Sequence, residues 1–248
     1  ALGELGQATT VTTLAQLAAE VDGDAKAAVV DALVRLRGAD IDRAIVAAAA
    51  TAPAAVQCDL IRSLPARNAR AAMPDLVALA TAEDAAVRTE AIKALGELGD
   101  ANTCALLIPR LAVVDGPERS RIEAALVAIS RREGTLVPIL TALAPATGPL
   151  QTALISVLGT LGGPDALEAL RQALGSNDIE VHLAAVRALS AWADASPLDV
   201  LLATATETAD LRVRVLALRG IAGLVQTAKN RPQEALAGIL EGAFALAT

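Results

Sequence analysis

The stretch Asp84–Asp100, DAAVRTEAIKALGELGD, decides the fold. Its apolar residues recur three and four positions apart, which is the period of one face of an α-helix. They are Val87, Ala91, Ile92, Leu95 and Leu98. Gly99 follows the last of them, at a place where helices commonly end. The stretch therefore predicts one amphipathic helix that ends near Gly99.

The end of this helix is one copy of a repeated hexapeptide. Residues 94–99 read ALGELG, as do residues 1–6, and looser copies return at intervals of roughly 31 residues, a period typical of solenoids. We call the second residue of each copy its anchor. The anchors are Leu2, Leu33, Ile61, Leu95, Leu126, Leu158, Leu189 and Ile221. Their spacing predicts repeats at 7–38, 39–66, 67–100, 101–131, 132–163, 164–194 and 195–226, with partial repeats at 1–6 and 227–248.

Each repeat carries a further apolar stripe before the anchor helix, as at Leu198, Leu201 and Leu202. Pro164 and Pro197 suit the first turn of such a first helix, and no stretch alternates polar and apolar residues for long enough to indicate a strand. We therefore predict an all-α fold, a right-handed α-α superhelix of about seven helix pairs that forms a single solenoid over residues 1–248.

The decisive stretch, together with its close copy at 178–192, resembles bacterial HEAT-like repeats of the phycobilisome-lyase type. The resemblance covers essentially the whole chain, although the repeats around Ile61 and Leu158 depart from the pattern. It implies a HEAT-like solenoid. Because such proteins include scaffolds, regulators and a few enzymes, the resemblance implies no single activity.

The amino-acid composition argues against several classes of function. A net charge of -7, a pI of about 4.8 and an aromatic content of 1% argue against a nucleic-acid partner, which requires clustered cations or stacking rings. One histidine and two cysteines are too few for the usual metal sites, so we expect no metal and no cofactor. We also expect no catalytic residues and no enzymatic activity. A catalytic triad would have to use His182, and neither cysteine lies at a matching repeat position.

Two charged columns recur before the anchors. Eleven positions before the anchor stand Asp22, Asp84, Asp115, Asp178 and Asp210, and seven positions before it stand Lys26, Arg88, Arg119, His182 and Arg214. The two repeats that lack the acid, with Ala50 and Thr147, also lack the base, with Ala54 and Gln151. We therefore predict a structural ladder in which the acid caps the second helix and the base reaches an acid of its own or the adjacent repeat.

The second helices are expected to line a concave surface that binds a protein partner. The candidate partner-binding residues face outward there: Arg121, Ser156, Arg187, Leu216 and Arg219. We therefore predict a non-enzymatic interaction or assembly scaffold whose partner the sequence does not identify. The alternative implied by the resemblance is a HEAT-like enzyme, or enzyme subunit, of the phycobilin-lyase type.

Residues 135–164 contain no charged residue, but prolines and glycines interrupt them, so we expect no membrane insertion. This repeat is either an internal joint or a contact patch.

Neither end of the chain has a polar cap, which predicts flanking repeats in a longer protein or end-to-end self-association. A soluble chain is expected. The two cysteines leave the compartment open, with a slight preference for the cytoplasm.

Overall fold

The computed structural model describes residues 7–38, 40–228 and 232–247, and all regular structure in this part of the chain is helical. The helices come in pairs, as the sequence predicts, and the all-α class is confirmed. The chain divides into two compact units. The partial repeat predicted at 1–6, with its anchor Leu2, lies outside the described residues.

The first unit comprises residues up to Leu107 together with Val114–Glu133. Its helices are α1 (Ala8–Glu20), α2 (Gly23–Arg35), α3 (Ile41–Ala49), α4 (Ala54–Ala66), α5 (Met73–Leu79), α6 (Ala85–Leu98), α7 (Ala101–Leu107) and α8 (Gly116–Glu133), with a short 3-10 helix at Arg70–Ala72. Each odd-numbered helix packs on the even-numbered helix that follows it. The even-numbered second helices also pack on one another in chain order, α2 on α4, α4 on α6 and α6 on α8.

The second unit comprises Ile108–Val113 and the chain from Gly134 onward. It holds a 3-10 helix at Ile108–Ala112 and α9 (Val137–Leu143), α10 (Gly148–Leu161), α11 (Pro164–Leu174), α12 (Ile179–Ser190), α13 (Leu198–Glu207), α14 (Leu211–Val225) and α15 (Gln233–Ala247). Its second helices repeat the same contacts, α10 on α12 and α12 on α14. This stacking of helix pairs within each unit is that of an α-solenoid.

The anchors form the centre of the core. All seven that the structure describes, from Leu33 to Ile221, are at most 1% exposed. Burial of large aliphatic side chains is the main favourable term in folding, so the recurring anchor is what makes neighbouring helix pairs within each unit pack on one another. Trp192, which stands where other repeats carry aliphatic residues, is also buried.

Local signals explain where the helices begin. The carboxylate of Asp84 accepts hydrogen bonds from the backbone N–H groups of Ala86 at 2.8 Å and Val87 at 3.1 Å, which is an N-cap for α6. Before α11, Gly162 and Gly163 adopt φ angles of 73° and 91°, a region that side chains disfavour, and Pro164 then starts the helix. Among the described residues, no helix is long and apolar enough to cross a membrane.

Candidate protein-binding groove

A groove of about 510 Å³ lies between the second helices α6 and α8 of the first unit. It is lined by Lys93 and Glu97 from α6 and by Arg121, Ala124 and Ala128 from α8. All five are exposed. The sequence-predicted partner residue Arg121 therefore stands at a real depression rather than on a flat helix face.

Small residues form the floor of the groove. Gly96 faces Ala125 so closely that a Cβ atom on Gly96 would lie 3.0 Å from the Cα atom of Ala125. The two helix backbones can approach this far because neither residue has a bulky side chain. This contact is not predicted from the sequence, although Gly96 directly follows an anchor and Ala125 directly precedes the next one.

The residues that line the groove carry more positive than negative charge, unlike the chain as a whole. Lys93 and Arg121 supply two cations and Glu97 one anion, whereas the whole chain carries a net charge of -7. A partner segment with a carboxylate would therefore meet a locally favourable potential in this groove. The small side chains of Ala124 and Ala128 leave the space between the charges open.

The other predicted partner residues lie on second helices of the second unit. Ser156 on α10, Arg187 on α12 and Arg219 on α14 are exposed, and Leu216 on α14 is half-buried. Ala153 stands at the place on α10 that corresponds to Arg121 on α8, five positions before the anchor, but it is only 2% exposed. Its small side chain lies against the core rather than the surface.

The acid column supplies helix caps at three of its five positions. Asp84 caps α6, Asp178 accepts a hydrogen bond from the N–H of Glu180 at 2.9 Å, and Asp210 accepts one from the N–H of Arg212 at 2.8 Å. The Arg212 guanidinium also binds Asp210 and lowers the pKa of that carboxyl to about 2. Asp22 stands at the N-cap position of α2 without a side-chain capping bond, and Asp115 directly precedes α8.

Three members of the basic column, Lys26, Arg88 and Arg214, bind backbone carbonyls or a neighbouring repeat rather than the acid of their own repeat. Arg88 donates to the carbonyls of Ala82 and Glu83, both at 2.8 Å, and Arg214 to those of Ala205 at 3.2 Å and Thr208 at 2.7 Å. These acceptors lie at or just beyond the end of the first helix, where carbonyls lack helical partners. Between repeats, Lys26 pairs with Asp59 at 3.3 Å and Arg88 with Glu118 at 3.0 Å. Arg119 and His182 are half-buried, and the Nε2 atom of His182 is enclosed.

Replacing Arg88 by Ala is expected to lower the free energy of unfolding by about 1 to 3 kcal/mol, because two carbonyls and Glu118 lose a partly buried donor. Urea denaturation measures the loss. Arg35→Ala is the control, because Arg35 makes a shorter ion pair, 2.7 Å to Asp31, but is 63% exposed. We expect that control to cost less than about 0.5 kcal/mol. Equal effects of the two substitutions would show that the Arg88 contacts contribute nothing special.

A second set of interactions went unnoticed in the sequence. Arg67 and Arg132, each six positions after an anchor, bind carbonyls at the C-terminal end of the preceding second helix, which is α2 for Arg67 and α6 for Arg132. Arg132 donates to the carbonyls of Gly96 at 2.9 Å and Glu97 at 2.8 Å, and also to that of Gly99. A separate chain of ion pairs joins α2, α4 and α6: buried Asp59 pairs with Lys26 and Arg62, and Arg62 with Glu90.

The two cysteines are buried and unbonded to each other. Burial raises the pKa of the Cys58 thiol, and it raises the pKa of the Cys104 thiol to about 11. Both thiols therefore stay protonated near neutral pH and serve as small core side chains. Among the described residues, no group of three or more metal-binding side chains comes together.

Comparison with known proteins identifies the repeat. A family model described as HEAT repeats matches residues 41–127 and 136–222. The solved complex of CpcE and CpcF of phycocyanin lyase from Nostoc sp. PCC7120 is similar to this chain, with 19% identity over 98% of this chain and 95% of that one, at a TM-score of 0.41. Human deoxyhypusine hydroxylase is similar with 19% identity over 96% of each chain, at a TM-score of 0.39.

An engineered protein is similar with 22% identity over 96% of this chain and 73% of its own, at a TM-score of 0.39. No functionally curated protein matches the chain at a significant level. The two matched ranges, 41–127 and 136–222, contain the anchors from Ile61 to Ile221 and all or most of each helix from α3 to α14. It matches repeats that the sequence shows to be well formed and repeats that it shows to be degenerate.

Proposed function

Because this chain belongs to the HEAT repeat family, in which the fold alone sets no activity, we propose that it is a non-enzymatic scaffold that binds a protein partner in the α6–α8 groove. The observation that carries the proposal is the groove itself, a depression of about 510 Å³ lined by Ala124, Ala128 and flanking charges. Pockets of this size accept several side chains of a docked segment.

The lining also indicates what kind of segment would bind. Alanines on α8 bring partner side chains close to the helix backbone, as grooves that accept an amphipathic helix do. Lys93 and Arg121 favour a segment whose polar edge carries carboxylates. The proposed partner segment is therefore a helix with one apolar face and an acidic edge.

Filling the groove tests the proposal. The combined substitutions Ala124→Glu and Arg121→Glu introduce bulk and reverse a charge at exposed sites, so they are expected to reduce partner capture at least about tenfold without loss of stability. Ala105→Glu is the matched control, because Ala105 is an exposed alanine on α7 of the same repeat. A photo-crosslinking residue in place of Ala128 would label the partner for identification by mass spectrometry. The same residue in place of Ala105 should label nothing specific.

Capture that survives the Ala124→Glu and Arg121→Glu substitutions would remove the groove as the binding site. A parallel variant, Arg187→Glu with Arg219→Glu, examines the predicted positions on the second unit. If this variant alone abolishes capture, the partner site lies on α12 and α14 instead. Both variants are compared with the unmodified chain for their thermal unfolding, so that misfolding is not taken for lost binding.

A further inference from the structure

The position seven residues before the anchor holds an arginine in some repeats and a shorter side chain in others. In the third and seventh repeats it holds Arg88 and Arg214, whose guanidinium groups donate to carbonyls near the end of their own first helix. In the fifth repeat it holds Gln151. Glutamine is shorter than arginine and carries no charge, so it does not supply the same cation.

A cavity of about 640 Å³ lies beside Gln151. Leu143 and Ala144 line it from the end of α9, which is the first helix of the same repeat. These residues correspond in the repeat to the region where Arg88 and Arg214 make their carbonyl contacts. The fifth repeat therefore has an open space at the place where two other repeats use an internal guanidinium.

The opposite wall of the cavity is acidic. Asp165 and Glu168 line it from α11, and both are exposed. None of the described residues that line the cavity is Lys, Arg or His. The carboxylate of Glu168 has only a long contact of 3.9 Å to Arg171 and a hydrogen bond of 3.3 Å from Gln172. The cavity thus combines two carboxylates with no lining cation.

The neighbouring repeat provides a contrast. A cavity of about 580 Å³ lies beside His182, which replaces the arginine there, and Asp199 and Glu207 line it. Arg171 lines this cavity as well, so its two carboxylates already have a cation among the lining residues. Charge complementarity to an incoming cation favours the Gln151 cavity over this one.

We propose that the Gln151 cavity binds an arginine side chain of a partner protein, which takes the place that Arg88 and Arg214 fill in their own repeats. A guanidinium is planar, keeps its charge and donates several hydrogen bonds, so it suits a site with carboxylates on one wall and the end of a helix on the other. The uncharged stretch 135–164, for which the sequence left open a joint or a contact patch, then contributes one wall of a contact site.

This inference rests on the proposed function in that both assume a protein partner, but it uses another surface. The test therefore uses a defined probe rather than the natural partner. The ¹⁵N-labelled full chain is titrated to about 20 mM with the peptide acetyl-Gly-Arg-Gly-amide, a range suited to millimolar dissociation constants. The matched peptide has citrulline, which keeps the shape of arginine without its charge.

Binding of the arginine peptide should shift the amide signals of Gln151, Ala144 and Glu168, whereas the citrulline peptide should leave them unchanged. Asp165→Asn with Glu168→Gln should weaken binding about three- to tenfold, as expected for two exposed ion pairs. Glu180→Gln, an exposed acid on α12, should leave it unchanged. Gln151→Arg should abolish binding by filling the cavity with an internal guanidinium.

Several results would overturn the proposal. These are no shifts with the arginine peptide, equal shifts with the citrulline peptide, or undiminished binding after the Asp165→Asn and Glu168→Gln substitutions. Shifts of the same signals on raising the protein concentration without peptide would assign the cavity to a second copy instead. The carboxylate variant keeps the test valid if Gln151→Arg fails to fold. Failure here leaves capture through the α6–α8 groove unaffected, so the two proposals can fail separately.

Discussion

Substitution of Arg67 by Met is expected to lower the free energy of unfolding by about 3 kcal/mol or more. The Arg67 side chain is only 8% exposed, and its Nη1 atom donates to the carbonyls of Leu33 at 2.8 Å, Val34 at 3.1 Å and Leu36 at 2.7 Å. Its Nε atom pairs with Asp42 at 2.6 Å. Methionine keeps much of the aliphatic stem but leaves these acceptors without their donor, so the loss reports the guanidinium and not the packing.

Two further arginine-to-methionine variants serve as comparisons for the stability loss, which is measured by urea denaturation of the full chain. Arg132→Met removes the equivalent cap from α6, but that side chain is 34% exposed, so we expect a smaller loss of about 1 kcal/mol. Arg43→Met should change stability by less than about 0.5 kcal/mol, since Arg43 is 87% exposed. An Arg67 variant as stable as the Arg43 variant would contradict a structural role for the buried cap.

The repeat architecture was readable from the sequence because it depends on side chains that every repeat must bury. The anchors from Leu33 to Ile221 are all in the core, and the prediction of HEAT-like repeats is confirmed by the family match. Burial of an aliphatic side chain requires no particular partner, so a periodic pattern alone was sufficient to locate it. The choice of one partner-binding surface is different, because it depends on which exposed residues converge.

For the charged columns, the sequence predicts which residues are structural but not every contact that they make. The correlated columns predict the helix cap that Asp84 provides, and they leave open whether the base reaches an acid of its own or of the adjacent repeat. Arg88 pairs with Glu118 of the adjacent repeat, but it also binds two backbone carbonyls that the columns do not predict. Backbone acceptors leave no trace in a sequence, because every residue carries a carbonyl. A correlation between charged positions therefore reports a shared structural element, here the junction between two helices, without identifying the contacts.

Arg67 and Arg132 could have been found by comparing all basic residues with the anchors, since both stand six positions after one. The signal is weak because only two repeats carry it. Six positions after the anchor Leu158 stands Pro164, which instead starts α11. Six positions after the anchor Leu189 stands Ala195, which carries no donor on its side chain.

Close contacts between second helices were missed for another reason: the required property belongs to a pair of residues. Gly159 on α10 lies against Ala188 on α12, whereas on the next pair of helices Gly220 on α14 lies against Ser190 on α12. In the first case the glycine follows its anchor, and in the second it precedes it. Neither position is always glycine, because one small partner compensates for a larger one.

Two glycines on α14 should therefore respond in opposite directions to substitution by alanine. A Cβ atom on Gly220 would lie 2.6 Å from the Cβ atom and 3.0 Å from the Cα atom of Ser190, whereas one on Gly223 would meet nothing within 4 Å. Alanine gains about 1 kcal/mol over glycine within a helix. Gly223→Ala should thus stabilise the chain by up to about 1 kcal/mol. At Gly220 overpacking outweighs this gain, so we expect a net loss of about 1 to 3 kcal/mol.

Thermal and urea denaturation of Gly220→Ala and Gly223→Ala measure the difference. Each variant is the control for the other, because both carry the same substitution in the same helix. Ser190→Gly combined with Gly220→Ala extends the test, because removing the Ser190 side chain makes room for the new methyl group. The double variant should therefore lose less stability than the sum of the losses of the single variants Ser190→Gly and Gly220→Ala. Additive losses, or an increase in stability at both glycines, would mean that α12 and α14 are not held at the distance that these contacts require.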